Sequence, residues 1–318
     1  MKRLKKYKSL LCFVLLLFIP LLTTNYTQYL INIAFIYILV TLGFNLVLGY
    51  VGRFSFANAS FFGIGAYSVG LLMRKLGIPF WFSLPLGGLI TGAVGLLLGF
   101  PALRLHRYYL AVVTLAFTFL MKFIYIHGGG FTYGPSGFDI PVPTIGVLRF
   151  SSDKNVYYIV LVVFFLVLTL IANIIKSNIG RSFRSVNEAE NAAEALSMNT
   201  RKTVLLAFAL SGFVVGIAGG LLSIVLRRIT PDSFGMLEIV THFIMVVFGG
   251  LGSITGSIIG GSVISLLPEL LRGSQEYQEL LYGLLIVIFV LFAPKGIYGF
   301  ILKYVPGVQR EKLYQDVE

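Results

Sequence analysis

Residues 204–226 read VLLAFALSGFVVGIAGGLLSIVL and contain no charge. As an α-helix rising 1.5 Å per residue the stretch is about 35 Å long. That length crosses a hydrocarbon core of roughly 30 Å. Gly212, Gly216 and Gly220 recur every fourth residue along it. This spacing lets helix backbones approach closely in lipid.

The rest of the chain has the same character. Of its 318 residues 57% are apolar and only 12% charged, and the mean hydropathy is +0.89. So apolar a chain has no soluble core large enough to hide its surface, which excludes a disordered chain, a disulfide scaffold and a soluble enzyme. Cys12, the single cysteine, permits no internal disulfide. The fold class is therefore all-α, a polytopic helical membrane protein. Ten candidate spans follow from runs of about 20 apolar residues, at 9–24, 28–50, 55–73, 80–101, 108–127, 156–176, 204–226, 237–254, 256–271 and 278–295. The first follows a basic start, MKRLKKYKSL, and no small-x-small cleavage site comes after it, so it reads as a retained span. The pair at 237–271 reads either as two full spans or as a re-entrant pair.

Orientation follows from the basic residues. The net charge of +12 suits basic cytoplasmic loops better than nucleic acid, and no nucleic-acid partner is expected. With the N-terminus inside and ten spans, 17 of the 25 Lys and Arg fall on the cytoplasmic side, which favours N-in, C-in. The whole is then one transmembrane domain, 1–318. It has a basic tail at 1–8, an external loop at 128–155, a cytoplasmic loop at 177–203 and a cytoplasmic tail at 300–318.

The two long loops differ in kind. Residues 128–155 are rich in Gly and Pro, with turns at Gly134-Pro135 and at Pro141 and Pro143. Residues 177–203 carry a helical signal. Ser185-x-x-Glu188 matches a capping box, and Ala189, Ala192, Ala193 and Leu196 share one helical face. A helix of about ten residues is marginal alone in water. It is either a connector held by the rest of the chain or a docking element for a partner's groove.

Several segments in order resemble ABC importer permeases of the branched-chain amino-acid (LivM-type) branch. They are RSFRSVNEAENAAEALSMNT (181–200), LLAFALSGFVVGIAGGL (205–221), TPDSF (230–234), MVVFGGLGSITGSIIGG (245–261), LLPELL (266–271) and LLYGLLIVIFVLFAPKGIYG (280–299). NLVLGYVGRFSFANASFFGIGAY (45–67) and FPALRLHRYYLAVVTLAF (100–117) also look like that family. The resemblance runs from about residue 30 to 300. It implies an ABC importer permease fold in the cell membrane, paired with a homologous second permease and two cytoplasmic ATPase subunits. An extracytoplasmic binding protein would deliver a branched-chain or other hydrophobic amino acid. ATP-Mg would be bound by the ATPases and no cofactor by this chain. The 177–203 loop would be the coupling loop, with Glu188, Glu190, Asn191 and Glu194 making polar contacts to an ATPase and Ala192, Ala193, Ala195 and Leu196 lying along the same docking helix. The family usually has Gln where Arg53 stands, Gly-His where Ala57-Asn58 stand and Gly where Ser197 stands. The differences at 53–58 leave urea, short amides, nucleosides and sugars open as substrates.

Polar residues inside apolar stretches face the bundle interior. Asn32, Asn45, Asn58 and His242 are of this kind, and either bond between helices or line a path. Asn45, Ser55, Asn58, Tyr67 and His242 are the candidate path residues. Gly212, Gly216 and Gly220, with Gly252, Gly256 and Gly260, are candidates for close helix packing. Arg53, Lys122, Glu238 and Glu269 fall near proposed span ends, so no acid is expected at a span centre. That argues against the alternative of an ion-coupled secondary carrier or channel. Gly134-Pro-Ser-Gly137 matches a four-residue intramembrane serine protease signature, but in a Pro-containing loop a turn explains it. The chain has neither H-E-x-x-H nor clustered Cys and His with metal spacing, and lacks G-x-x-x-x-G-K-[ST]. It is expected not to be an enzyme or to hold a metal, and any ATP would be hydrolysed by another polypeptide.

Overall fold

A computed structural model describes residues 16–20, 23–105, 107–145, 148–150 and 152–270, with Gly283, Leu284 and Val287. The tenth candidate span, most of the first and both tails lie outside these residues. The helices are α1 (Asn25–Asn45), continued by a π-helical turn at Leu46–Tyr50, α2 (Asn58–Lys75), α3 (Phe80–Ala102), α4 (Arg107–His127), α5 (Asp153–Lys176), α6 (Asn178–Ala195), α7 (Thr200–Leu226), α8 (Met236–Gly249) and α9 (Ile254–Leu270). Among the described residues five helical stretches are long and apolar enough to cross a membrane: 25–50, 80–102, 108–127, 153–176 and 200–226.

Local chemistry sets the helix ends. Asn199 caps α7 by accepting from Lys202 N at 2.9 Å, and α7 stops where Arg227 turns left-handed, with φ of 60°. Ser152 caps α5 through Asn155 N, and Ser177 caps α6 through Ile179 N.

Helix α7 is the axis of the bundle, packed against α3, α2 and α1. Its glycines explain the contact. A Cβ on Gly212 would lie 2.5 Å from Thr91 O, and one on Gly216 would lie 2.6 Å from Thr91 Cβ. Gly219 meets the carbonyl of Phe62, and Gly220 meets Leu84 and Val69. Gly256 and Gly260 play the same part in α9, against Gly249 and Met245 of α8. Gly252 does not. It sits in the turn between α8 and α9 with φ of +69°, and its role is to let the chain reverse.

The two ends of the bundle are built differently. At one end β1 (Phe138–Asp139) pairs antiparallel with β4 (Arg228–Ile229), and β2 (Thr144–Ile145) with β3 (Leu148–Arg149). These short ladders add strand to an otherwise helical fold. The cations of this end are tied to the 128–155 loop. Arg74 Nη1 donates to Asp139 O, Lys75 Nζ to Gly130 O and Arg228 Nη2 to Ser136 O, and Arg227 pairs with Asp153 at 2.7 Å. At the other end α6 packs between α5 and α7 and against the π-helical turn.

Three expectations need correction. Helix α6 starts at Asn178, so Ser185 does not open it; Ser185 Oγ bonds back to Arg181 O inside the helix. The helix kinks at Ala189, with φ of −157° and ψ of 87°, and this breaks the single face formed by Ala189, Ala192, Ala193 and Leu196. Ala193 is buried, whereas Leu196 is 78% exposed. The 237–254 run is not one full span: α8 ends at Gly249 and is only about 21 Å long.

The glycine contacts are testable by overpacking. Gly216→Val is expected to lower the stability of the purified protein by about 1–3 kcal/mol. Gly130→Ala, where nothing lies within 4 Å of the new methyl, is expected to be neutral in the same thermal-unfolding assay.

Candidate functional site

Two groups of polar contacts join α1 and α2 to the segment 236–257, and a third joins α6 to the chain between α1 and α2. The first holds Glu238. Tyr37 OH donates to Glu238 Oε1 at 3.1 Å and Oε2 at 3.2 Å. One helical turn on, His242 is fully buried, with Nε2 3.1 Å from Glu238 Oε2. That distance suits an ion pair when the imidazole is protonated, but the atoms lie off the line of a hydrogen bond, and Nε2 has no hydrogen-bond partner. On the other side of the ring Asn58 Nδ2 lies 3.2 Å from His242 Nδ1. With Asn58 donating, the ring proton sits on Nε2, facing Glu238. Phe62 and Tyr37 pack edge-on against the imidazole.

The second group centres on Asn45, fully buried at the end of α1. Its Nδ2 donates to Ser257 Oγ at 2.7 Å and Ser253 O at 3.1 Å, and its Oδ1 accepts from Gly252 N at 2.9 Å. One side chain thus bonds both a backbone donor and a backbone acceptor of the α8–α9 turn. Gly49, one turn beyond, leaves room for the Asn45 carboxamide.

The third group ties α6 to the chain between α1 and α2. Asn187 Nδ2 donates to Gly49 O at 3.0 Å, and Arg53 pairs with Glu190. Gly52, with φ of +71°, leaves space for the Asn187 side chain. Ser55 Oγ accepts from Ala57 N at 3.3 Å at the entry to α2. Further along α6, Glu194 Oε1 accepts from Thr200 Oγ1 at 2.6 Å. Glu188, Asn191, Ala192, Ala195 and Leu196 are exposed.

Of the candidate path residues, Asn58 and His242 are brought together, Asn45 joins the α8–α9 turn, and Ser55 caps a loop. Tyr67 stands apart, stacked on Tyr125 with ring centroids 4.1 Å apart. Sequence reasoning did not single out Tyr37, and it placed Glu238 near a span end, where it stands in the first turn of α8 one turn before His242. Its carboxylate also meets Tyr37, half-way along the 26-residue helical stretch Asn25–Tyr50. Ser136 is exposed in a 3-10 turn, while His127 bonds Phe123 O and His242 faces Asn58 and Glu238. No catalytic pair forms among the described residues.

An apolar bundle with polar side chains threaded along an internal seam, and a polar helix tied to one end of that seam, defines a multi-pass membrane transport protein. The family described as "Branched-chain amino acid transport system / permease component" matches residues 26–290. This chain belongs to it, and is a permease subunit of the cell membrane. The high-affinity branched-chain amino acid transport system permease protein LivM of Escherichia coli K12 is 32% identical, over 87% of this chain and 71% of its own length. LivM of Salmonella typhimurium is 33% identical, over 82% and 67%. The permease protein LivH of Escherichia coli K12 is 26% identical, over 83% and 91%. No solved structure matches significantly.

The Asn45 group is open to a direct check. Asn45→Leu strands the Gly252 N–H and removes the donor to Ser253 O and Ser257 Oγ, and is expected to cost about 1–3 kcal/mol. Thermal unfolding in detergent should show the loss, and Asn32→Leu, which breaks no hydrogen bond of Asn32 Oδ1, should lose less.

Proposed function

We propose that the chain is one of two permease subunits of an ATP-driven ABC importer for branched-chain or other hydrophobic amino acids, working by alternating access. The observation that carries this reading is the attachment of α6. Asn187–Gly49 and Arg53–Glu190 fix the helix to the π-helical turn and the 51–57 loop. Its far half, Asn191 to Leu196, projects with only Ala193 turned inward. A short polar helix fixed to the bundle at one end and exposed at the other suits a groove on a cytoplasmic ATPase. The chain would then span the membrane about ten times with both ends inside, and α6 and Arg53 would lie on the cytoplasmic side. The two short ladders, β1 with β4 and β2 with β3, would face outward, where a binding protein docks. LivM and LivH, permease proteins of high-affinity branched-chain amino acid transport systems, both resemble this chain, which supports a homologous second permease.

In this mechanism nucleotide-driven movement of α6 pulls on the backbone at Gly49 and on Arg53. Asn45 passes that movement to the α8–α9 turn, and Asn58 and His242 lie on the same connected wall. The sequence has no phosphate loop, so ATP-Mg is held by the ATPase partners and the subunit itself is not an enzyme.

The exposed end of α6 gives the test. Leu196→Arg is expected to insert normally, to lose co-purifying ATPase and to abolish uptake. Ala193→Arg, at a buried position, is expected to reduce the amount of folded protein instead. Normal uptake by a well-inserted Leu196→Arg variant would sink the coupling assignment.

A further inference from the structure

The Glu238 group has a chemistry that the coupling role does not use. Its carboxylate stands half-way along the 25–50 helical stretch, in contact with Tyr37 OH, and its side chain is 20% exposed. A charged side chain at that depth costs roughly 3 kcal/mol or more if it faces hydrocarbon. The exposed edge of Glu238 therefore faces an aqueous or polar space. The wall behind it is incompletely paired: His242 Nε2 and Asn58 Oδ1 are buried, on residues 0% and 4% exposed, and neither has a hydrogen-bond partner. Two oxygens of a carboxylate, held by a tyrosine hydroxyl and backed by an imidazole N–H, accept from a small cation. Helix α8 begins beside them, and Glu238 is itself the acid of its first turn. Such a helix start favours an anion and helps to keep Glu238 charged. A carboxylate so held matches the positive charge of an α-amino acid head group.

We propose that Glu238, oriented by Tyr37 and backed by His242, is the point in this subunit that receives the α-ammonium group of the amino-acid cargo during passage. Binding here is electrostatic and independent of the side chain, so it recognises the ammonium group common to amino acids and leaves the choice among hydrophobic side chains to the binding protein. The inference rests on the reading of the chain as an amino-acid permease.

The test uses the complete transporter in proteoliposomes, with leucine-loaded binding protein, and reads leucine taken up per ATP hydrolysed. Glu238→Gln removes the charge and keeps the shape. Loss of one charge-assisted contact corresponds to about tenfold or more, so uptake per ATP should fall by that factor, with Glu238→Asp recovering part of it. Tyr37→Phe keeps the carboxylate, loses its orienting hydroxyl and should fall a few-fold. Wild-type coupling in Glu238→Gln overturns the proposal. If Glu238→Gln does not assemble, unchanged coupling in Tyr37→Phe overturns it, and a few-fold fall there supports it. If the wild-type transporter moves no hydrophobic amino acid at all, the functional reading itself fails and this assignment goes with it.

Discussion

Close backbone approach around α7 is the constraint on which the rest of the molecule depends. In lipid, apolar side chains gain little by leaving hydrocarbon for one another, so helices associate through packing and hydrogen bonds. Here the gain comes from contacts that a single methyl group would block. Gly212 lies against the Thr91 carbonyl, Gly65 against Gly216, and Gly219 against the Phe62 carbonyl. These contacts fix α2 and α3 against α7, and Gly43 of α1 lies against Val215 and Ser211 O of α7.

The polar contacts then form an ordered series. From mid-depth toward the α6 end they run Tyr37–Glu238–His242–Asn58, then Asn45 with the α8–α9 turn, then Asn187–Gly49 and Arg53–Glu190. They meet α1 at its least regular part, the π-helical turn at Leu46–Tyr50. Such turns often occur at functional positions, because the wider turn leaves backbone groups available to other partners. Gly49 O, which accepts from Asn187, is one such group. Displacing α6 must therefore either break the Asn187 bond or move the π-helical turn, and Asn45, adjoining that turn, holds the loop between α8 and α9.

Much of this was legible in the sequence. Apolar runs of sufficient length gave the spans near 28–50, 80–101, 108–127, 156–176 and 204–226, because length and hydropathy are the quantities a bilayer tests. The four-residue glycine spacing in α7 identified a packing face. Hydropathy does not report continuity, however, and the break at Gly249-Gly250 stayed hidden because glycine is common inside membrane helices. The kink at Ala189 was invisible for a related reason: Ala and Glu are strong helix formers, and tertiary contacts at Asn187 and Glu190 override them. The Arg53–Glu190 pair joins residues 137 apart in the chain, a separation that no local pattern encodes. Glu238 stands in the first turn of α8, in keeping with its place at the edge of a run, but its contact with Tyr37 joins residues 201 apart in the chain and has no local signal.

The short length of α8 explains why a carboxylate can stand there. A helix that begins at mid-depth leaves the outer half of its column to be filled by something else. That half is taken by β4 and the 3-10 turn Pro231–Phe234, which descend from the sheet to Gly235. Irregular backbone at such depth is tolerated only where protein buries it or where it borders water. Both conditions appear side by side. Pro231, Phe234 and Gly235 are buried, with Phe234 packed edge-on against Phe62, Tyr67 and Tyr125, while Met236 and Leu237, the first residues of α8, are more than half exposed. The chain thus passes from a covered turn to an open helix start within three residues, and Glu238 follows at once. A full-length span would have buried this position in a continuous apolar column. The interrupted one leaves the Glu238 carboxylate partly exposed beside the middle of the 25–50 stretch.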